Sequence, residues 1–386
     1  MALDIPFRRS VIDHYPASLD LRFALNGILP PAGNTVTYTG ADNGTFFDSA
    51  GVLQTSGSDA ARFDHGLASP FLPLGLWIEG QRVWRALHNR DLTNVVWAET
   101  NVTTAKNATG LDNVANSAST MTATAANGTA LQTVTLTSTE RTVSAYVKRI
   151  TGSGDIQITD NNGTNWTTLS GLSSSLWTRH DITRTQSNPV LGFRIVTDTD
   201  VIEVDFVGLE DGAFATSAVD VGASAVTRTA DVATISDVSW LNQIEGTFLF
   251  KGDAVETNPP NSAHMYSADD GGTTDQIRGY IATGSDQAAF QVKNSGGNNG
   301  FTQVAIAIAD NTAFKSVGAY SQDSLNHAID GTLGTEDTSV DLPTTDTLTI
   351  FRIGADSGGN ELNGHIARIT YWPIRLPNGI LQALTI

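Results

Sequence analysis

Apolar and polar residues alternate with a period of two through much of this chain. Val143, Ala145 and Val147 point one way, while Thr142, Ser144 and Tyr146 point the other. That spacing predicts a strand with one buried face. Ile156 and Ile158 repeat it, as do Phe193 and Ile195, then Ile202, Val204 and Phe206. Further on, Phe248 and Phe250, Phe290 and Val292, and Val304, Ile306 and Ile308 each mark another strand. Clusters such as Asp160-Asn161-Asn162-Gly163 separate the runs and read as turns. Asp330-Gly331 and Asn363-Gly364 are the strongest hairpin signals, because each supplies the positive φ of a type I′ turn. Near the start, Phe46-Phe47-Asp48-Ser49-Ala50-Gly51-Val52-Leu53 reads as strand, turn, strand. Only the tail, Pro377 to Ile386, suggests a short helical turn.

These runs divide the chain. Residues 1–70 are punctuated by turn signals such as Asn26-Gly27 and Pro30-Pro31, and hold no apolar set large enough for a core of their own. They read as an extended arm that packs on something else. Residues 71–216 carry several short strands and predict a sandwich. Within them, 102–130 are rich in Ala, Thr, Asn and Ser and read as a long, strand-poor loop. Residues 217–235 are small and weakly patterned and read as a linker, and 236–386 alternate again. The predicted fold class is therefore all-β: two tandem antiparallel β-sandwich (jelly-roll) domains after an extended N-terminal arm. No short internal repeat and no sustained heptad is present, so no coiled-coil stalk is encoded.

Composition agrees and removes several functions. Thr and Val favour strands, and Gly and Asn favour turns. The 386 residues include no cysteine, which excludes disulfides, thiolate metal sites and cysteine nucleophiles. A formal net charge of −18 would repel a phosphate backbone or an anionic membrane surface, so no nucleic-acid partner is expected. No stretch approaches the roughly 20 apolar residues that span a bilayer, so no membrane insertion is expected. Met1-Ala2-Leu3-Asp4-Ile5-Pro6 lacks the basic and apolar segments of a signal peptide.

A search for chemistry finds no His-Glu-x-x-His, no Gly-x-Ser-x-Gly and no phosphate-cradling loop. The seven histidines are scattered, with no metal-ligand spacing. Glu210-Asp211, Asp269-Asp270 and Glu336-Asp337 are acid pairs by adjacency alone. Neighbours in a strand face opposite ways, so adjacency is poor evidence for a glycosidase pair. Asp91, Asn94 and Asp205 sit near the first and last strands of the second segment and are the candidate ligands for a stabilising Ca2+. Trp166 and Trp177 lie among Asn, Thr and Ser, a context that suits half-exposed sugar platforms. Trp372 could be platform or core, while Trp97 and Trp240 look like core.

Several phrases also carry a resemblance. Residues 46–55 and Ala61-Arg62-Phe63-Asp64-His65 resemble a module of phage virion proteins, followed there by phrases like Leu74-Gly75-Leu76-Trp77-Ile78-Glu79-Gly80-Gln81-Arg82. Asn89-Arg90-Asp91-Leu92-Thr93-Asn94-Val95-Val96-Trp97 resembles the opening of a carbohydrate-binding-module-like jelly roll. Residues 208–217 resemble its closing phrase, and 226–233 the linker that follows. His327-Ala328-Ile329-Asp330-Gly331, Phe351-Arg352-Ile353-Gly354 and residues 362–373 resemble a concanavalin A/laminin G-like domain. The order of modules resembles phage head fibres, tail fibres and spikes. One departure is Val83-Trp84-Arg85-Ala86-Leu87-His88, where an Asn-Leu-Leu run is usual.

The resemblance implies a non-catalytic structural protein of a virion surface, a head or tail spike or fibre, made in the bacterial host cytoplasm. It implies docking on a capsid, neck or tail protein through residues 1–70, and binding of host surface polysaccharide by a homo-oligomer, with a trimer the commonest form. No catalytic residue is transferred. Two alternatives stay open: a spike enzyme that depolymerises host polysaccharide, and a capsid decoration protein with no receptor.

Overall fold

A computed structural model describes residues 15–25, 35–40 and 42–386. The turns expected at Asn26-Gly27 and Pro30-Pro31 lie outside the described residues. Among the described residues the fold is strand and loop, with one α-helix at Asn378–Thr385 and a 3-10 turn at Phe23–Leu25.

Two antiparallel sandwiches carry the chain. In the first, an inner five-stranded sheet runs in the order Thr178–Gln186, Thr139–Thr151, Val201–Asp211, Ala118–Ala123, Val102–Ala108. An outer five-stranded sheet runs Thr167–Thr168, Ile156–Thr159, Val190–Ile195, Gly128–Thr133, Ala98–Thr100. Val143, Ala145, Val147, Ile156, Ile158, Phe193 and Ile195 fill the space between them, as their period predicts. In the second sandwich, a seven-stranded sheet faces an eight-stranded one. Phe248 lies at its centre, stacked on Tyr266 at 4.8 Å and Phe351 at 5.7 Å.

The first segment is not an arm beside these domains. Leu19–Leu21 pairs with Gly364–Trp372, and Pro73–Ile78 pairs further along the same strand. Phe63–His65 extends that sheet, and Thr37–Thr39 adds to the seven-stranded sheet through Val232–Ile235. Leu19, Leu21 and Phe23 enter the second core, as do Leu76 and Ile78 from the start of the next segment. The segment lacks a core of its own because its apolar residues are shared between the second core and the cluster of Phe47, Leu53, Trp84 and Tyr146. The expected linker 217–235 is likewise structured. Val226–Arg228 pairs with Arg82–Trp84, Val232–Ile235 is a sheet strand, and Ala218, Val219 and Val221 are buried.

Three local patterns mislead. Residues 102–130 are strands at Val102–Ala108 and Ala118–Ala123 with the start of Gly128–Thr133, not a strand-poor loop. Their buried apolar set is small and mostly alanine (Val102, Ala108, Leu111, Ala118, Met121, Ala123, Ala130), so alternation is faint. Phe206 leaves the series begun by Ile202 and Val204. A bulge shifts register between Ser144 and Tyr146, and Phe206 adopts φ 46°. Val207 and Leu209 therefore face the first core, while Phe206 and Tyr146 form a separate cluster with Phe47, Leu53 and Trp84. Val304 and Ile308 are buried, but the neighbouring strand ends at Gln303.

The two hairpin signals also differ. Asp330 and Gly331, at φ 40° and 84°, turn between Ser324–Ile329 and Thr332–Leu333 as expected. Asn363-Gly364 is no hairpin. Gly364 opens a strand, and a Cβ there would lie 2.2 Å from the Asp253 carbonyl oxygen. The tail helix is two turns rather than one, and it caps an apolar patch of Leu249, Val317 and Trp372 with Leu381.

Candidate functional site

The outward face of the outer five-stranded sheet carries a polar row. Register places Thr100 opposite Thr129, Thr129 opposite Arg194, Arg194 opposite Gln157, and Gln157 opposite Thr168. At about 4.8 Å per strand, the row spans roughly 19 Å. Its neighbours in sequence, Ile156, Ile158, Phe193 and Ile195, point into the core, which fixes the row outward. Arg194 donates through Nε to the Gln157 side-chain oxygen at 2.7 Å, and Gln157 donates to the Thr168 hydroxyl at 3.1 Å. Beside it stands half-buried Trp166, with the Arg194 guanidinium 4.5 Å from its ring centroid. A Cβ on Gly163 would lie 2.8 Å from the same indole. The ring is thus held by Gly163 and Arg194, which lowers the entropy lost when a ligand stacks on it.

Trp177 is half-buried against the Phe206–Tyr146 cluster, with Lys148 4.7 Å over its ring and Lys148 paired to Glu203 at 2.6 Å. Trp372 must be corrected. It is 2 % exposed beneath the tail helix and is a core residue, because its strand is covered on both faces. The structure places Trp97 and Trp240 in cores as well.

The calcium set is also corrected. Arg90 grips both oxygens of buried Asp205, at 2.7 and 3.1 Å, and Leu111 N–H donates to it at 3.0 Å. Asp91 instead caps its own loop by accepting from Thr93, and Asn94 accepts from Val96 N–H. A guanidinium fills the role sequence had offered to the cation. Among the described residues, no group of three or more His, Cys, Asp or Glu side chains converges as a metal site.

The adjacent acid pairs are structural. Buried Glu210 accepts from Thr216 N–H and hydroxyl, Asp269 pairs with Arg352 at 2.9 Å, and Glu336 pairs with Arg375 at 3.0 Å. More carboxylates lock the junction between the sandwiches. Arg62 donates to Glu79 at 2.8 Å and also pairs with Asp231. Arg228 lies 3.6 Å from Glu79, and Tyr38 donates to Asp231 at 2.7 Å. Burial pushes Glu79 up, but Arg228 and Arg62 outweigh it and hold it at about 2. Close by, His365 bridges Asp64 and Asp253, 2.9 Å from each. Burial lowers its pKa, yet the hydrogen bonds to Asp253 and Asp64 prevail and raise it.

Between the sandwiches opens a cleft of about 620 Å³. Arg82 stacks over Phe214 on one wall at 4.6 Å, and Glu140 stands nearby. Glu256, Asn360 and Glu361 line the other. Burial raises the pKa of Glu256, with Asp310 adding to it, and burial likewise raises that of Glu361.

No family model matches the chain, and no curated protein matches it. Solved structures do. The CBM40 domain of Ruminococcus gnavus IT-sialidase, bound to α2,3 sialyllactose, is 15% identical over 37% of this chain and 83% of that one, with a TM-score of 0.32. Mouse laminin α1 domains LG4-5 are 12% identical over 65% of this chain and 87% of that one, at 0.23. The tail fiber protein gp63.1 of an E. coli phage is 11% identical over 67% of this chain and 36% of that one, at 0.22. These are likenesses of β-sandwich build at low similarity. They assign nothing to individual residues.

Sequence reasoning reached Trp166 from its polar neighbours but missed its partner row. Arg194, Gln157 and Thr129 become neighbours only through strand register. It missed the cleft as well, whose walls come from segments scattered from Gly80 to Asn363.

Proposed function

We propose that this chain is a non-catalytic surface subunit of a bacteriophage or phage-derived particle, and that it binds glycan on the host cell. The observation that carries the binding is the rigid Trp166 indole beside the Thr129–Arg194–Gln157–Thr168 row. An indole packs the C–H face of a sugar, and a flat row of donors and acceptors meets its hydroxyls. The phage setting rests on the order of virion-like phrases in the sequence. Attachment to a capsid, neck or tail protein through residues 1–70 stays part of this reading, now through a segment rooted in the second sandwich. A homo-oligomer, a trimer by the same resemblance, would multiply weak single-site contacts on the virion surface.

The test is a glycan array with the native chain and Trp166→Ala. Binding to a defined set of polysaccharides, lost in the variant, is expected. Equal binding by both would remove Trp166 from the site. No binding at all would favour a decoration role without a receptor.

A depolymerase is the second reading, favoured by Glu256 and Glu361, whose raised pKa values suit an acid held protonated. Release of reducing ends from host polysaccharide, abolished by Glu361→Gln, would establish it.

A further inference from the structure

A small pocket of about 170 Å³ sits where the first segment meets both sandwiches, apart from the Trp166 row and from the wider cleft. Phe47, Leu53 and Leu74 give it apolar walls, and Trp77, Tyr146 and Arg179 also line it. Most polar side chains around it are spent. Thr45 donates to the Ala218 carbonyl at 2.6 Å, Ser217 donates to Glu79 at 2.6 Å, and Asp64 accepts from Phe47 N–H and from His365. His65 Nδ1 meets the Phe47 carbonyl at 3.0 Å. Three donors are left over. Trp77, 9 % exposed, buries its indole N–H without a partner. Arg179 buries its Nε–H in the same state. A terminal nitrogen of that guanidinium donates to the Thr216 carbonyl, and among the described residues Arg179 forms no ion pair. Tyr146, 4 % exposed, lies under the guanidinium at 5.3 Å, and its hydroxyl makes no hydrogen bond among the described residues. Burial raises the pKa of Tyr146, which keeps that hydroxyl a donor. Buried polar groups are normally satisfied, so three unmet donors around one pocket call for an acceptor.

We propose that this pocket is a second binding site, separate from Trp166, for a carboxylate group on a short stem, received by Trp77, Tyr146 and Arg179. A carboxylate offers about four lone-pair sites to these donors, more than a water molecule does. The guanidinium supplies the one positive charge that a monoanion needs, and charge-assisted hydrogen bonds are the strong ones. Asp64, the carboxylate on the wall, is paired with His365 at 2.9 Å rather than with Arg179. Size sets the stem. A cavity of roughly 150 Å³ holds benzene, so this pocket admits about six heavy atoms, enough for propionate or for the acid end of a sugar. The net charge of −18 favours a lone carboxylate over a polyanion.

NMR titration of the full chain with propionate, propionamide and the methyl glycoside of glucuronic acid tests this. The Trp77 indole N–H signal, assigned through Trp77→Phe, is followed in the same samples. Propionate should bind at least tenfold more tightly than propionamide and shift the Trp77 signal. Arg179→Gln should weaken it at least tenfold and Tyr146→Phe at least threefold, while Trp166→Ala should leave it unchanged. Tyr146→Phe keeps the ring and its packing, so the test survives if Arg179→Gln does not fold. The glucuronide binding at least as tightly as propionate, with the same losses, would support the pocket and make an acidic sugar the source; weaker binding would make it a free short acid. Equal affinity for propionate and propionamide, no binding, or binding untouched by Tyr146→Phe would overturn the proposal. Because the glycan array reads Trp166 alone, failure here leaves the reading at Trp166 intact, and failure there leaves the pocket intact.

Discussion

Replacing Trp166 with Ala removes an indole that covers no core residue, so the loss of stability should be about 1 kcal/mol, the scale of its contact with Arg194. Replacing Trp372 with Ala instead hollows the patch under the tail helix and should cost about 3–5 kcal/mol. Urea unfolding of the two variants checks the split. Arg62→Met should also cost about 3–5 kcal/mol, because it leaves Glu79 and Asp231 buried without their cation. A loss below about 1 kcal/mol in urea unfolding would show that the junction tolerates the change. His365 makes a prediction in pH. Its folded pKa is raised from 6.5, so its contribution is complete below that value and fades as pH rises through the folded one. Unfolding measured from pH 6 upward should show native stability falling toward that of His365→Gln. A constant gap between them would contradict the assignment. Sequence showed Trp166 in polar company but could not separate it from Trp372, whose cover arrives from the tail helix. His365 gave no signal, because Asp64 lies 301 positions away.

At the scale of elements, alternation was legible wherever one face met a core and the other met water. It failed where both faces are covered. Thr142, Ser144 and Tyr146 are buried along with Val143, Ala145 and Val147, because the inner sheet has a second cluster behind it. It failed again at the Phe206 bulge, since a one-residue shift reverses every later side chain. The largest surprise is where strands pair. Leu19–Leu21, Thr37–Thr39, Phe63–His65, Pro73–Ile78 and Val232–Ile235 all belong to the C-terminal sandwich. A fragment of residues 236–386 lacks these strands and exposes both edges and part of its core. It should fail to show a cooperative thermal transition. A sharp transition near that of the full chain would mean that the N-terminal strands are dispensable.

The whole molecule is two sandwiches joined by a buried ionic junction, with a polar row on one outer face and an acidic cleft between the halves. Its net charge of −18 disfavours polyanions in solution. The overall class was legible from alternation and turn chemistry, whereas the joining of first and third segments was not, because pairing over such distances leaves no local mark. The account turns on Trp166 as a binding surface without turnover. Its most direct test is a surface-binding titration of host polysaccharide against the native chain and Trp166→Ala, with reducing ends assayed in the same samples. Binding that falls at least tenfold in the variant, with no reducing ends released by either, is the predicted result; undiminished binding in the variant, or release of reducing ends by the native chain, would contradict it.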